Sequence, residues 1–329
     1  MIYGKKEIII LIYRVLSEYT DESHYLTQNE IIDKLYSLYQ VEVERKAVSN
    51  SITLLQNLDY DIVKNPKGGY ALYSRLLDEM EIKYINDALF SSKSISGKQV
   101  LNISNKLNSC LSKYQRKRYL YLYKSTNISR SENKELFFNL ELIEEAIGKK
   151  KKISFKYLGY DENGKRIERY NGFRYVVSPY YLVNNFGKYY VLANYRSKYS
   201  PIQNYRLDYL LDIRIEDEDA KDINEIEELK NFDIAEYINE HVYLFSGKVI
   251  TAKIKIINPI GVQYIYEYYG KNQKLYKEND MLYVNIKSSF DALYYWLLQY
   301  GDNFEVIEPD ELIVKLIETY KKQIQKYDK

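Results

Sequence analysis

The chain has 329 residues, 46% hydrophobic and 29% charged, with a formal net charge of +2, which predicts a globular protein of two or three domains. No apolar run reaches the roughly 18–20 residues of a membrane span, and Arg14 and Glu18 interrupt the first apolar patch, so we expect neither a membrane helix nor a signal peptide. The one cysteine, Cys110, excludes an internal disulfide and fits a cytoplasmic protein.

The first 75 residues predict three helices followed by a β-hairpin. Apolar residues recur at helical spacing in Glu7–Tyr19 and in the stretches that begin at Thr27 and Arg45, and Thr27 with Glu30 forms a capping-box pattern. Two strand-like runs, DIVKN and YALY, then flank a turn signal at 66–69. This order is typical of a winged helix, whose third helix enters the major groove of DNA.

Candidate DNA-binding residues lie on the third helix, opposite its apolar stripe, and on the hairpin. Residues 45–75 contain five basic and two acidic residues. Residues 1–75 as a whole are slightly acidic, with nine basic and ten acidic residues. A protein-interaction module therefore stays the alternative for this domain. The candidate residues are Arg45, Lys46, Ser49, Asn50, Thr53, Lys64, Asn65 and Lys67.

Residues 76–147 predict a helical linker, with a polar, loop-like stretch at 125–134. The pattern changes to short strands at Lys151, and the turn signal at 161–164 separates KKISFKYLGY from a returning strand, KRIERYNGFRYVV. Three further strands are predicted in SPYYLVNN, GKYYVLANYR and IQNYRLDYLLDIRI. Several short strands at close spacing predict a small β-barrel over residues 148–215.

Charge divides unevenly between the barrel and the segment that follows it. Residues 148–215 contain fourteen basic and five acidic residues, and residues 216–245 contain two basic and eleven acidic. The two blocks either neutralise each other within the fold, or the basic block forms a surface for an anion that the acidic segment shields. We interpret 216–245 as a solvated acidic linker and 246–329 as a small α+β domain of alternating strands and helices.

Catalytic and metal-binding patterns are missing from the sequence. The two histidines, His24 and His241, stand alone, and no Cys/His cluster has zinc-site spacing. There is no phosphate-binding glycine loop and no nucleophile elbow. We therefore expect a protein that is not an enzyme and needs no cofactor.

The chain resembles the bacterial WYL-domain transcriptional regulators over essentially its whole length. The motifs that carry the resemblance are the recognition helix and wing at 43–72, AIGKKKKISFKY, SPYYLV with GKYYVLANY and YRLD, and YYWLLQYGDNFEVIEPDELIVKLI. The resemblance implies an α+β multidomain protein. Its parts are an N-terminal winged helix-turn-helix, a helical linker, a central Sm/SH3-like WYL barrel, and a C-terminal WCX domain.

This sequence departs from the family at two places. The Trp-Tyr-Leu triplet appears as Tyr189-Tyr190-Val191, and the second arginine of an R-x-x-R pattern that begins at Arg206 is replaced by Tyr209. The resemblance implies that Tyr190 is the functional tyrosine and that Tyr189 replaces a packing tryptophan. The loss of one arginine removes a charge from the pocket that the family pattern implies.

Four residues are candidates for ligand binding: Ser178, Tyr190, Arg206 and Asp208. An arginine in a barrel strand needs a partner, which is either an anion or a carboxylate such as Asp208. Ser178 has a hydroxyl that can donate to a phosphate, although serine before proline is commonly a turn residue. Hydroxyl, phenol and guanidinium together suit a nucleotide or a single-stranded nucleic acid.

Two functions fit these features. In the first, the protein is a homodimeric transcriptional regulator that binds a pseudo-palindromic duplex site and senses an anionic ligand in its barrel. In the second, it is a nucleic-acid-binding accessory protein that modulates a phage-defence effector, and the winged helix contacts protein instead of DNA.

Overall fold

The computed structural model describes residues 5–119, 135–195, 202–230 and 232–328, which form eleven α-helices and three antiparallel sheets. This mixture agrees with the α+β class predicted from the sequence. The chain divides into two compact units, residues 1–134 and 135–329.

The first unit begins with three helices and a two-stranded hairpin. Buried apolar side chains of the three helices, among them Ile12, Leu35 and Ile52, share one core. Thr27 and Glu30 exchange the two hydrogen bonds of a capping box, so this prediction is confirmed. The elements are α1 (Lys5–Tyr19), α2 (Gln28–Tyr39), α3 (Arg45–Asn57), β1 (Ile62–Lys64) and β2 (Tyr70–Leu72).

Three more helices follow in the same unit: α4 (Glu79–Ser91), α5 (Gly97–Asn108) and α6 (Lys113–Tyr119). The helices α5 and α6 are separate, because Oγ of Ser112 accepts a hydrogen bond from the N–H of Gln115 and starts a new helix. Arg75 donates to the carbonyls of Ser17, Thr20 and Cys110, and so joins this part to α1. The loop predicted at 125–134 lies outside the described residues.

The second unit begins with α7 (Leu136–Gly148) and a six-stranded antiparallel sheet. Its strands pair in the order β8-β3-β5-β6-β7, with β4 beside the last residues of β3. The strands are β3 (Lys151–Tyr160), β4 (Arg166–Glu168), β5 (Arg174–Asn185), β6 (Lys188–Asn194), β7 (Gln203–Arg206) and β8 (Leu210–Asp219).

This sheet has to curl. Its end strands, β7 and β8, would lie about 19 Å apart if the five strands were flat, since neighbouring strands are roughly 4.8 Å apart. Only the 3-10 turn Leu207–Tyr209 joins β7 to β8. Three residues in such a turn span only about 6 Å. The two ends of the sheet therefore approach each other, as in a small barrel.

The strand boundaries differ from those predicted in two places. The stretch IQNYRLDYLLDIRI is divided into β7 and β8 by the turn Leu207–Tyr209. The segment KRIERYNGFRYVV is not one returning strand, because Asn171 (φ 55°) and Gly172 (φ 72°) form a left-handed turn between β4 and β5. Left-handed backbone cannot continue a strand. Beyond the turn, β5 runs without a break to Asn185 and absorbs the strand predicted separately at SPYYLVNN.

The acidic segment is packed, which corrects its interpretation as a solvated linker. It contributes the end of β8 and α8 (Ile234–Glu240). Its apolar residues, including Ile226 and Leu229, share a buried cluster with Val183 and Leu192 of the preceding sheet. The reason is the spacing of these apolar residues among the carboxylates, which lets one side of the segment pack while the acids stay in water.

The last part of the chain is a split βαββαβ unit with a terminal helix. Its four strands pair in the order β10-β11-β9-β12, and Trp296 of α10 is fully buried against them. The elements are β9 (Val249–Ile256), α9 (Ile260–Tyr269), β10 (Leu275–Glu278), β11 (Met281–Ser289), α10 (Phe290–Tyr300), β12 (Phe304–Glu308) and α11 (Asp310–Tyr327).

Two residues of α11 test how this helix contributes to stability. Leu312 is fully buried, whereas Val314, two residues later, is 54% exposed. We expect Leu312→Ala to lower the free energy of unfolding by about 2–5 kcal/mol, because it leaves a cavity. Val314→Ala serves as the control and should change it by less than about 0.5 kcal/mol. Urea unfolding measures both, and equal effects would contradict this packing of α11.

Candidate functional site

The outer face of α3 is polar and accessible. Val48, Ile52 and Leu55 are buried against the core, which turns the remaining side chains outward. Arg45, Lys46, Asn50 and Thr53 are exposed and Ser49 is half-buried. Arg45 is also placed by a hydrogen bond from its Nε to Oδ1 of Asn29 on α2, at 2.8 Å. All five candidate residues on α3 therefore lie on a surface that a macromolecule can reach.

The hairpin carries the other three candidate residues. Lys64 and Lys67 are exposed, and Oδ1 of Asn65 accepts the N–H of Lys67 at 2.9 Å, which fixes the start of the turn. Gly69 has φ +95°, and a Cβ there would lie 3.2 Å from the backbone of Leu26. This position therefore needs glycine for both its backbone angle and the close approach of Leu26.

In the second unit, Arg206 and Tyr190 face each other across two paired strands. They are directly opposite residues in the antiparallel pairing of β6 with β7. Side chains of directly opposite residues lie on the same face of a sheet, with Cβ atoms about 4.5–5.5 Å apart. The guanidinium and the phenol that the sequence singles out therefore belong to one site.

Asp208 holds Arg206 in a fixed orientation. Nε and Nη2 of Arg206 donate to Oδ1 and Oδ2 of Asp208, each at 2.7 Å. The Arg206 side chain is 25% exposed and that of Asp208 only 8%. Burial lowers the pKa of Arg206, but the hydrogen bonds and charge of Asp208 raise it above its ordinary value. This bidentate pairing turns the Nη1 edge of Arg206 away from Asp208.

Tyrosines surround this pair. The guanidinium of Arg206 lies 4.4 Å from the centre of the Tyr209 ring, a cation–π contact made by the residue that replaces the family's second arginine. Tyr209 in turn contacts the rings of Tyr157 and Tyr160. Burial raises the pKa of Tyr190, against the opposing charge of Arg206, and raises that of Tyr157 to about 12. Both phenols are therefore neutral hydrogen-bond donors at neutral pH.

The sequence analysis missed a second guanidinium at this place. Nη2 of Arg166, on β4, donates to the backbone carbonyl of Asp208 at 2.6 Å. Its Nε is buried without a hydrogen-bond partner among the described residues. Arg166 and Arg206 therefore meet at Asp208, and their two charges exceed its one. No signal in the sequence distinguishes Arg166 from the other basic residues of 148–215.

Ser178 does not belong to this site, although it was predicted there. It pairs with Asn194, four residues along β6 from Tyr190, which is about 13 Å at 3.3 Å per residue. Ser178 is also buried, and its Oγ accepts the N–H of Lys221 at 3.0 Å. The hydroxyl therefore holds the segment that follows β8.

Part of the basic charge of residues 148–215 is paired with the acidic segment. On β3, Lys151 pairs with Asp219 at 2.7 Å and Lys152 with Glu218 at 2.6 Å, and both carboxylates belong to the acidic segment. Mutual neutralisation, one of the two alternatives left open by the sequence, is confirmed for these pairs. The excess of positive charge at Arg166 and Arg206 is thus local.

Within the described ranges, no group of three or more histidine, cysteine, aspartate or glutamate side chains is arranged to hold a metal ion. Among the helices of those ranges, none is both long and apolar enough to cross a membrane.

Comparison with protein families matches residues 139–215 to the WYL domain and residues 249–323 to the WCX domain. No curated protein matches the chain. Among solved structures it is similar to the proteasome accessory factor B/C (PafBC) of Arthrobacter aurescens, with 14% identity and a TM-score of 0.30 over 98% of this chain. The chain spans about half of that protein, 49%.

It is also similar to a structure described as a CRISPR Cas-related protein, with 12% identity and a TM-score of 0.41 over 100% of this chain and 87% of the other. Both TM-scores are below 0.5, so we take neither fold nor function from these two structures.

The pairing of Arg206 with Asp208 can be tested by its effect on stability. Asp208→Ala leaves a half-buried guanidinium without its carboxylate, and we expect the free energy of unfolding to fall by about 1–3 kcal/mol. Glu218→Ala removes the carboxylate of a more exposed ion pair and should cost less than about 1 kcal/mol. If urea unfolding shows the same small loss for both variants, the Arg206–Asp208 pair is not the structural contact described above.

Proposed function

Since this chain carries a WYL domain and a WCX domain, we propose that it is a DNA-binding transcriptional regulator whose activity responds to an anionic ligand. The observation that carries the proposal is the site in the WYL domain, beside the Tyr190 phenol. There Arg206 bonds to the carboxylate of Asp208, and Arg166 bonds to the backbone carbonyl of the same residue. Such a site offers two guanidinium groups and aromatic faces to a phosphate and a base. The other unit presents a separate polar surface.

The first unit supplies the DNA-binding surface. Three helices and a hairpin, with α3 exposing its polar face, have the arrangement of a winged helix. We propose that α3 enters the major groove, with Arg45 and Asn50 at base edges, and that Lys64 and Lys67 contact the phosphates beside it. One winged helix covers few base pairs, so a homodimer on a pseudo-palindromic site would double the contact.

The WYL site supplies the response. A phosphate group would be held by the Nη1 edge of Arg206, with the charge of Arg166 close by and a base stacked on a tyrosine. Arg166 thus offsets the charge lost where Tyr209 replaces the family's second arginine. The ligand class is a nucleotide or a short single-stranded nucleic acid. It regulates DNA binding only if its affinity differs between the DNA-bound and unbound states.

We propose a cytoplasmic protein without a catalytic step. A regulator needs no reaction centre, and the groups at the WYL site bind and orient an anion without offering a nucleophile. Both carboxylate oxygens of Asp208 accept hydrogen bonds from Arg206.

DNA binding is tested with a duplex selected from a randomised pool by the wild-type protein. We expect Arg45→Ala to weaken binding of that duplex by about 1–3 kcal/mol and to relax its sequence preference. Lys67→Ala should weaken binding to all duplexes alike. It should also reduce the slope of the logarithm of the binding constant against the logarithm of salt concentration by about 1. Fluorescence anisotropy at several salt concentrations measures both.

Lys98→Ala is the matched control, because Lys98 is an exposed lysine of the same unit that lies outside α3 and the hairpin. If it weakens duplex binding as much as Lys67→Ala does, the binding is non-specific. If the protein selects no duplex but still binds single strands, it is not a DNA-binding transcriptional regulator. The alternative, a nucleic-acid-binding accessory protein, is then favoured.

Ligand binding is tested by native mass spectrometry of the freshly purified protein, followed by titration with mononucleotides and short labelled single strands. Arg206→Ala and Arg166→Ala should each weaken binding by about tenfold or more, because each removes a charge-assisted hydrogen bond. Arg214→Ala is the control, since its side chain is 62% exposed and outside the site. Equal losses in all three variants would contradict a specific site.

A further inference from the structure

A cavity lies in the second unit, apart from Arg206. It has a volume of about 510 Å³ and is lined by the end of α7, the two lysines that precede β3, the middle of β5, and the chain from the end of β8 to Asn224. Neither Arg206, Arg166 nor Tyr190 lines it. Its volume lies in the roughly 300–1,000 Å³ range of small-molecule sites.

The floor of this cavity is apolar. Ile147 of α7, Pro179 and Tyr180 of β5, and Ile223 line it. Pro179 and Tyr180 are buried in the fold, and Tyr180 is 8% exposed. These side chains offer an apolar surface wide enough for an aromatic ring.

The wall beside this floor is held in place. The hydroxyl of Tyr180 donates to the carbonyl of Lys221 at 3.0 Å, and Oγ of Ser178 accepts the N–H of the same residue at 3.0 Å. The N–H of Ala220 donates to the carbonyl of Lys150 at 2.8 Å. The segment after β8 is therefore fixed at three points, so the cavity exists before any ligand arrives.

The rim carries an excess of positive charge. Lys150 and Lys221 lie at the cavity, and within the described ranges neither ammonium has a carboxylate partner; that of Lys221 approaches only the carbonyl of Glu225, at 3.5 Å. Of the two carboxylates that line the cavity, Asp219 pairs with Lys151. Asp222 keeps its charge, and its Oδ1 accepts the backbone and side-chain N–H groups of Asn224. Two ammonium groups therefore face one uncompensated carboxylate.

We propose that this cavity binds a small organic anion whose apolar body is about the size of one or two aromatic rings. Its carboxylate or sulfonate lies between Lys150 and Lys221, and its body lies on Tyr180, Pro179 and Ile223. Two ammonium groups match an anion of one or two charges, and an apolar floor disfavours a strongly hydrated polyanion. This site is separate from the nucleotide site proposed above and does not depend on it.

The probe is anilinonaphthalene sulfonate, an aromatic sulfonate that becomes fluorescent when its rings are buried. Titration of the full chain should show one saturable site. Lys150→Glu combined with Lys221→Glu should weaken binding by about tenfold or more, because both charge-assisted contacts are lost. Ile223→Trp, which fills the cavity, should weaken it as well.

Two controls distinguish binding at this site from non-specific binding of the probe. Lys271→Glu combined with Lys277→Glu makes the same change in net charge at exposed positions away from the cavity, and should leave binding within about twofold. Phenylnaphthylamine, the uncharged analogue of the probe, should bind equally to the wild type and to the Lys150/Lys221 variant, but more weakly to Ile223→Trp. Circular dichroism and thermal unfolding confirm that each variant is folded.

The proposal is overturned if folded Lys150/Lys221 and Ile223→Trp variants bind the sulfonate as well as the wild type. It is also overturned if the Lys271/Lys277 variant loses binding to the same degree, because net charge alone would then explain the effect. Loss of nucleotide binding in the Arg206→Ala protein has no bearing on either result.

Discussion

The fold of the second unit depends on one constraint. Only three residues connect β7 to β8, which are the first and last strands in the pairing order of the sheet. The turn Leu207–Tyr209 is too short to cross a flat sheet, so the sheet curls and its ends approach each other. The same turn contains Asp208 and follows Arg206 directly. The residues that close the sheet are therefore those that form its charged site, and the geometry of the site is rigidly tied to the fold.

This closure explains why the site tolerates a changed motif. Tyr209 cannot supply a positive charge, but its ring lies against the Arg206 guanidinium in a cation–π contact, in addition to the hydrogen bonds that the guanidinium donates to Asp208. Arg166 reaches the same turn from β4 and hydrogen-bonds to its backbone, which no substitution in the motif alters. Positive charge at this place thus depends on the curled sheet as a whole more than on one short sequence pattern.

The acidic segment has a different role from a tether or a shield. Its first carboxylates neutralise lysines of β3, and its apolar residues extend the core beneath the sheet. Residues 219–224 of this segment form one wall of the cavity that Lys150 and Lys221 line. From its composition alone, this segment is predicted to be a solvated linker. It packs against the domain because its few apolar residues are spaced so that they lie on one side.

The sequence by itself determined the features that depend on neighbours in the chain. Helical and alternating apolar periodicity located the helices and most strands, Thr27 with Glu30 defined a cap, and the spacing of Arg206 and Asp208 indicated their pairing. The tertiary structure alone decided which distant residues meet. Arg166 and Asp208 are 42 residues apart, and Ser178 bonds to Lys221 instead of joining the arginine site. Strand register and the curl of the sheet decide such contacts. Both depend on packing between residues that are far apart in the chain, so local sequence patterns do not predict them.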